Sequence, residues 1–122
     1  MGGKPISGVV IGAAYDVHNA LGVGFVENVY KNALYLELKA LGLKCECEKE
    51  IDVYYKGVVV GKFKADMVVE DKLILELKAV SNLLPAHEVQ LVNYLKATGI
   101  ERGLLINFGK SVEVKHKICS KK

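Results

Sequence analysis

The chain has 122 residues, the size of one domain, and we expect residues 1–122 to fold as a single unit. With 51% hydrophobic and 25% charged residues it can bury a core, which excludes a disordered protein. No apolar run approaches the roughly 18 residues of a membrane-spanning helix, and the first residues lack the layout of a signal peptide. Three cysteines without an export signal indicate reduced thiols, so we expect a cytoplasmic protein without membrane contact.

The net charge of +3 is distributed unevenly along the chain. Residues 110–122 contain five lysines and one glutamate, so residues 1–109 sum to −1. Because nucleic-acid affinity comes largely from phosphate neutralisation, the body by itself should bind nucleic acid weakly. The short basic tail is typical of a solvated segment, and contact with phosphates is the alternative.

The first third of the chain predicts two helices. One runs from about Ser7, which follows Pro5 and is a plausible N-cap, to Leu21, and the next from about Val26 to Leu41. Gly22 and Gly42 follow them at the position where helices commonly end. The apolar positions at helical spacing are Val10, Ala13, Ala14, Val17 and Leu21, then Tyr30, Leu34, Leu38 and Leu41.

After the second helix the hydrophobic period changes from 3.6 to 2, which predicts strands. Lys44 to Ile51 alternates between two faces, and Lys56-Gly57 is typical of a hairpin turn. The stretches Phe63–Val69 and Lys72–Leu77 are apolar on both faces and should lie centrally in the sheet. A helix from Pro85 to about Thr98, ending at Gly99, and strands at Leu104–Asn107 and Val112–Ile118 complete an α/β fold with a mixed sheet flanked by helices.

Three charged residues interrupt the two central strands, where an unpaired charge would be costly to bury. They are Asp66 in the earlier strand and Glu76 and Lys78 in the later one. If Val69 pairs with Leu73, a three-residue loop follows Val69 and all three charges share one sheet face. A two-residue loop would instead place the carboxylates on opposite faces, and the sequence alone leaves both registers open.

Two carboxylates and a lysine at one place on a sheet indicate a specific chemistry. Carboxylate and carbonyl oxygens are the ligands that Mg²⁺ or Mn²⁺ prefers. Such an ion lowers the pKa of bound water, and a lysine can hold that water or stabilise charge on a phosphate. The structural alternative is a buried ion pair between Asp66 or Glu76 and Lys78, which is about equally well supported.

Other polar residues fall at helical positions that suit a site. Gln90 and Tyr94 share one face of the third helix with His87, and Glu27 and Tyr30 stand near the start of the second. Each has a structural alternative, namely a solvated helix rim, a core-capping tyrosine or a first-turn glutamate. The further candidates with ordinary structural interpretations are His18 and the cysteines Cys45, Cys47 and Cys119, for which core packing is favoured over a metal site.

Gly24-Phe25-Val26-Glu27-Asn28-Val29-Tyr30 resembles the signature of the GxxExxY protein family, a compact branch of the PD-(D/E)xK nuclease-like superfamily. The similarity covers about Ile6 to Ile118. It includes the segments Val17-His18, Leu21-Gly22-x-Gly24, Tyr55-Lys56-Gly57, Ala65-Asp66, Glu76-Leu77-Lys78-Ala79, Gln90-x-x-Asn93-Tyr94-Leu95 and residues 103–109.

This resemblance implies a restriction-endonuclease-like core of helix, three strands, helix and strand, with an extra N-terminal helix and a C-terminal strand. It implies that Asp66, Glu76 and the Leu77 carbonyl hold Mg²⁺ or Mn²⁺, with Glu27 assisting. Lys78 would act on the attacking water. Gln90 and Tyr94 would position the substrate strand, with Tyr30 nearby.

The leading functional hypothesis is therefore a metal-dependent nuclease that acts on nucleic acid, with DNA the expected substrate. The first alternative is a non-catalytic nuclease-like module that binds nucleic acid or a protein, and the second is a protein that binds a small phosphate ligand or a metal. Because the body carries little positive charge, a homodimer or a partner protein is a possible source of basic surface.

Overall fold

The computed structural model describes residues 5–120, which form an α/β fold with one mixed five-stranded sheet. The elements in chain order are α1 (Ile6–Leu21), α2 (Glu27–Ala40), β1 (Cys45–Tyr55), β2 (Val58–Val69), β3 (Leu73–Lys78), α3 (Pro85–Thr98), β4 (Arg102–Phe108) and β5 (Val112–Ile118). The predicted fold class and order of elements are confirmed.

The strands follow each other across the sheet in chain order, from β1 to β5. β3 and β4 are parallel and are connected through α3, whereas the other three neighbouring pairs are antiparallel. The C-terminal ends of β3 and β4 therefore lie side by side at one end of the sheet. In open α/β sheets, ligands usually bind at the carboxyl ends of the strands.

The register of β2 against β3 is the one that brings the carboxylates together. Val69 pairs with Leu73, and the connecting loop has positive φ angles of 55° at both Glu70 and Asp71. Lys44 stabilises this unusual loop, since its main-chain N–H donates to the Glu70 carboxylate and its ammonium lies 2.9 Å from Asp71 Oδ2. Anchoring the loop in this way favours the three-residue connection.

Helices cover both faces of the sheet, with α1 and α2 on one side and α3 on the other. Alternate residues of β2 and β3, including Met67 and Leu75, are completely buried against α1 and α2. The intervening residues Val68 and Ile74 pack instead with Leu91 and other apolar residues of α3. Burying each large apolar side chain stabilises the fold by about 1.5–3 kcal/mol, which explains why both faces of these strands are apolar.

Two local predictions in the helices were wrong, namely Ser7 as the N-cap of α1 and Leu41 as a member of the apolar stripe of α2. Ser7 is not the N-cap of α1, because the helix begins at Ile6, Val9 N donates to Pro5 O at 3.2 Å, and no side chain caps the helix. Leu41 is 44% exposed because α2 ends at Ala40, and the chain turns so that Leu43 enters the core.

The basic C-terminal segment is part of the sheet as far as Ile118 and is not a free tail. Lys115 and Lys117 lie on β5, and Lys117 forms an ion pair with Glu88 of α3. Lys121 and Lys122 lie outside the described residues. None of the helices within residues 5–120 is long and apolar enough to cross a membrane.

The contact between α3 and β4 requires glycine at position 103. A Cβ added to Gly103 would lie 2.7 Å from Leu91 Cδ1, and Leu91 is completely buried. We expect Gly103→Ala to lower the free energy of unfolding by about 1–3 kcal/mol, the usual cost of overpacking a core. Urea denaturation followed by circular dichroism measures the change. The matched control is Gly61→Ala on β2, where an added Cβ has nothing within 4 Å and should change stability by no more than about 0.5 kcal/mol. Equal stability of the two variants would contradict this account of the packing.

Candidate active site

The β2–β3 ladder stops where the two carboxylates meet. The last ladder pair is Met67 with Leu75, so Asp66 and Glu76 are the next residues on the two strands. There Glu76 Oε2 accepts a hydrogen bond of 2.8 Å from Asp66 N, and Asp66 Oδ2 accepts one of 2.7 Å from Leu77 N. The carboxylates thus provide hydrogen-bond acceptors for two main-chain N–H groups, which holds both side chains in defined positions.

Burial strongly favours the protonated form of Glu76, which is only 5% exposed. Desolvation, followed by repulsion from the Asp66 carboxylate, raises the pKa of Glu76 to about 8. Burial also raises the pKa of Asp66, although the hydrogen bond from Leu77 N and the charges of Lys31 and Lys78 oppose the rise. At neutral pH the pair therefore holds a proton, most of it on Glu76.

Lys78 lies at the end of β3 on the same face as Glu76 and is partly exposed. Its positive charge lowers the pKa of Asp66, Glu76 and Glu27, which places the ammonium within electrostatic range of all three carboxylates. It nevertheless forms no ion pair with any of residues 5–120. The buried ion pair considered as the structural alternative is therefore not formed, and the ammonium remains available to an incoming group.

Glu27 reaches the same electrostatic environment from the first turn of α2. Burial raises its pKa, and the Asp66 carboxylate raises it further, whereas Lys78 lowers it. Glu27 thus responds to residues of both strands from α2.

The sequence analysis missed an ion pair beside Asp66. Lys31, one helical turn after Glu27, is only 7% exposed, and its Nζ lies 2.6 Å from Glu48 Oε1. Burial by itself would lower the pKa of Lys31, but the hydrogen bond and charge of Glu48 raise it. Glu48 has a positive φ of 54° and is skipped in the β1–β2 ladder at the position opposite Asp66. The i, i+4 spacing from Glu27 was the signal that could have identified Lys31.

Gln90 and Tyr94 form one connected pair on α3. Gln90 Nε2 donates to Tyr94 Oη at 2.8 Å, and the Tyr94 ring stacks on Phe63 with centroids 4.2 Å apart. Burial raises the pKa of Tyr94, and the charges of Glu76 and Asp66 raise it further. Tyr94 is therefore electrostatically coupled to the carboxylates, and Gln90 is held beside it at the exposed edge.

The remaining predicted residues have their polar atoms bonded elsewhere. Tyr30 is completely buried, and its hydroxyl donates to Gly22 O. His18 Nε2 lies 2.8 Å from Gly109 O, and His87 Nδ1 accepts a hydrogen bond from Leu84 N at the start of α3. These three side chains contact loops and a helix end rather than the carboxylates.

Hard divalent cations suit the donor atoms of the site, although the protein supplies only part of a ligand shell. Asp66 and Glu76 are adjacent carboxylates. Mg²⁺ is usually bound by one or two carboxylates, and water and phosphate oxygens complete its coordination. Within residues 5–120, no three Asp, Glu, His or Cys side chains are grouped closely enough to hold one ion. Of the cysteines, Cys45 is buried, Cys47 exposed and Cys119 intermediate, so the expected packing in the core holds fully only for Cys45.

Comparison with known proteins identifies the family. Residues 4–119 match the model of the PD-(D/E)XK nuclease superfamily, and the chain belongs to that superfamily. No curated protein sequence matches the chain. The solved structures that share the fold include the following two. The crystal structure of SSO0001 is 22% identical with a TM-score of 0.61, and the alignment covers 79% of this chain but only 52% of that one. An alkaline exonuclease from Laribacter hongkongensis is 12% identical with a TM-score of 0.58, and the alignment covers 96% of this chain and 72% of the exonuclease chain.

The raised pKa of Glu76 predicts an unusual dependence of stability on pH when a chelator keeps metal away. Between the ordinary value of 4.5 and about 8, the folded protein holds a proton that the unfolded chain has released. The free energy of unfolding should therefore fall as pH rises through this window, by at most about 1.4 kcal/mol per pH unit.

Thermal melts at pH 5 to 8 in chelator measure this dependence. Glu76→Gln, which cannot ionise, should flatten the decrease, whereas the control Glu50→Gln on the exposed part of β1 should not. An unchanged slope in Glu76→Gln would show that Glu76 is already ionised in the folded protein.

Proposed function

We propose that this protein is a nuclease that hydrolyses phosphodiester bonds of nucleic acid, with DNA as the expected substrate and Mg²⁺ or Mn²⁺ as cofactor. The observation that carries the proposal is the adjacent pair Asp66 and Glu76, with the ammonium of Lys78, which forms no ion pair within residues 5–120, in electrostatic range of both. Membership of the PD-(D/E)XK nuclease superfamily supports the same reaction. The signature around Glu27 further supports assignment to the GxxExxY branch.

In this proposal the metal ligands come from the point where the β2–β3 ladder ends. Asp66, Glu76 and the carbonyl of Leu77 would hold the ion, and Glu27, which is not grouped with them closely enough to be a third carboxylate ligand, would orient the shell. When bound, such an ion supplies Lewis acidity, which lowers the pKa of water and polarises a phosphate. The hydrogen bonds from Asp66 N and Leu77 N preorganise the two carboxylates before any ion arrives.

The other residues would act on the substrate. Lys78 would orient the attacking water or stabilise the negative charge that develops on the phosphate, because a preformed positive charge is most effective in the transition state. Gln90, whose amide is already bonded to Tyr94, would position the substrate strand. Lys31, held by Glu48, would contribute positive charge near Asp66.

A non-catalytic nucleic-acid-binding or protein-binding module is the second candidate, and the charge distribution favours it. Residues 1–109 sum to −1, so the body lacks the excess of cations that a polyanion requires. A homodimer or partner protein would supply the missing basic surface in either case. The two candidates differ in one outcome, since only the enzyme cleaves nucleic acid when metal is bound.

Metal binding should release a proton at neutral pH. Glu76 has a pKa of about 8 without metal, and a divalent cation must displace the proton that it holds. We expect titration of Mn²⁺ at pH 7 to release about one proton per ion. Calorimetry in two buffers with different heats of ionisation measures this number. Glu76→Gln should abolish the release, and binding by wild type without proton release would exclude Glu76 as the protonated ligand.

Substitutions should separate metal binding from turnover. Asp66→Ala should lose metal and cleavage together. Lys78→Ala should retain metal but lower kcat about 100-fold to 1000-fold, the usual cost of removing a group that stabilises transition-state charge. The control is Lys72→Ala, an exposed lysine at the opposite end of β3. Cleavage of linear, nicked and single-stranded DNA with Mg²⁺ or Mn²⁺ is the assay. Equal cleavage by wild type and Asp66→Ala would place the activity outside this site.

A further inference from the structure

A cavity of about 430 Å³ opens at the C-terminal ends of β3 and β4, where the chain continues from Lys78. Its walls are three short segments, residues 23–25 before α2, residues 79–81 after β3 and residues 108–110 at the end of β4. The first segment leads to Glu27 within two residues, and the second follows Lys78 directly. The cavity is therefore joined through the main chain to both helix and strand residues of the site. A larger cavity of about 820 Å³ lies at the other end of β3, near Leu73, away from these residues.

A buried tyrosine fixes the first wall. Tyr30 Oη donates to Gly22 O at 2.6 Å and accepts from Phe25 N at 3.3 Å, so one hydroxyl bridges the loop that carries Phe25. The Phe25 ring packs edge-on against the Tyr30 ring, with centroids 6.3 Å apart. Phe25 nevertheless remains 48% exposed.

Buried polar side chains fix the other two walls as well. Asn107, 2% exposed, accepts from Val80 N at 2.9 Å and donates to Val80 O at 2.8 Å. His18 Nε2 lies 2.8 Å from Gly109 O. A Cβ on Gly109 would approach Val80 O to 2.9 Å, so the two strand ends are packed in close contact. All three walls are held in place before any ligand binds, which lowers the entropy cost of binding.

The chemistry of the walls suits a flat aromatic group that carries a negative charge. Phe25 and Val80 present exposed apolar surface, and the Phe108 ring, stacked on Tyr30 at 4.7 Å, forms part of the buried wall. Lys110 is exposed at the rim and forms no ion pair with any of residues 5–120. The volume lies within the range of pockets that hold small organic ligands. A nucleobase with its attached phosphate combines these properties.

We infer that this cavity is a nucleotide subsite that receives the base next to the phosphodiester bond to be broken. The inference rests on the proposed nuclease function and adds the class of substrate. A base can enter such a cavity only after it has left the stack, and leaving the stack costs least in single strands and frayed ends. The protein therefore acts on single-stranded or end-frayed nucleic acid in preference to an intact duplex. His18, Tyr30 and Asn107 serve this subsite as positioning residues that act through the loops they hold.

Binding of a mononucleotide tests the subsite without any cleavage. Deoxyadenosine 5′-monophosphate added to the ¹⁵N-labelled protein should shift the amide signals of residues 23–25, 79–81 and 109–110. It should leave those of residues 98–102, beside the larger cavity, unchanged. Phe25→Ala should weaken this binding about 5-fold to 100-fold, as loss of an aromatic stacking partner does. Phe25→Leu, which keeps an apolar contact with Tyr30 but no ring, should weaken it comparably.

Tyr55→Ala is the matched control, because Tyr55 is an exposed aromatic residue at the turn of the β1–β2 hairpin and should not affect mononucleotide binding. Absence of saturable shifts at the cavity, or equal affinity in wild type and both Phe25 variants, would overturn the inference.

Cleavage of modified strands separates this inference from the proposed function. Wild type should cleave single-stranded DNA faster than duplex DNA, and an abasic residue beside the cleaved bond should raise KM. Phe25→Ala should raise KM for normal strands and lose the sensitivity to the abasic residue. Cleavage that is equally fast with and without the base would exclude the subsite while leaving the nuclease intact. A protein that binds the mononucleotide at the cavity but cleaves no nucleic acid would instead exclude the enzyme and keep the binding site.

Discussion

The site depends on a reciprocal exchange of hydrogen bonds at the point where β2 and β3 cease to pair. Each carboxylate accepts a main-chain N–H near the other, with Glu76 bonded to Asp66 N and Asp66 bonded to Leu77 N. Buried main-chain N–H groups must find partners, and here the two carboxylates accept their hydrogen bonds. The same contacts keep two acidic groups close together and buried, so desolvation, followed by the repulsion between them, raises the pKa of Glu76. A divalent cation would relieve that repulsion, which links the architecture of the sheet to the proposed chemistry.

Irregular backbone surrounds this point on both sides. Glu48 adopts a positive φ opposite Asp66 and pairs with Lys31, while Glu70 and Asp71 adopt positive φ in the loop that sets the β2–β3 register. Non-glycine residues in this conformation cost about 1–2 kcal/mol each and persist where surrounding contacts hold them. Such local strain often accompanies functional sites, and here it lies on β1, the neighbour of β2, and in the loop that joins β2 to β3.

Much of the fold was predictable because its signals are local. The change of hydrophobic period after Leu41 separated helices from strands, and the apolar character of Phe63–Val69 on both faces correctly placed it inside the sheet. The candidate carboxylates were identifiable because charges in such strands are costly. Whether Asp66 and Glu76 meet was not predictable, since a loop one residue shorter would have placed the two carboxylates on opposite faces of the sheet. That choice depends on Lys44, which binds the loop from the start of β1.

The sequence by itself determined the order of elements, the three charges in the central strands and the resemblance to a nuclease family. Hydrophobic periodicity and a charged residue within an apolar segment are both patterns of neighbouring residues, so they can be read along the chain. Tertiary structure alone decided that Lys31 pairs with Glu48, and that Lys78 forms no ion pair within the described residues. It also decided that Tyr30, His18 and Asn107 hold the walls of one cavity. In most cases these contacts join residues that are separated by between 17 and 91 positions in the chain. Only the packing of helices on the sheet brings such distant groups together.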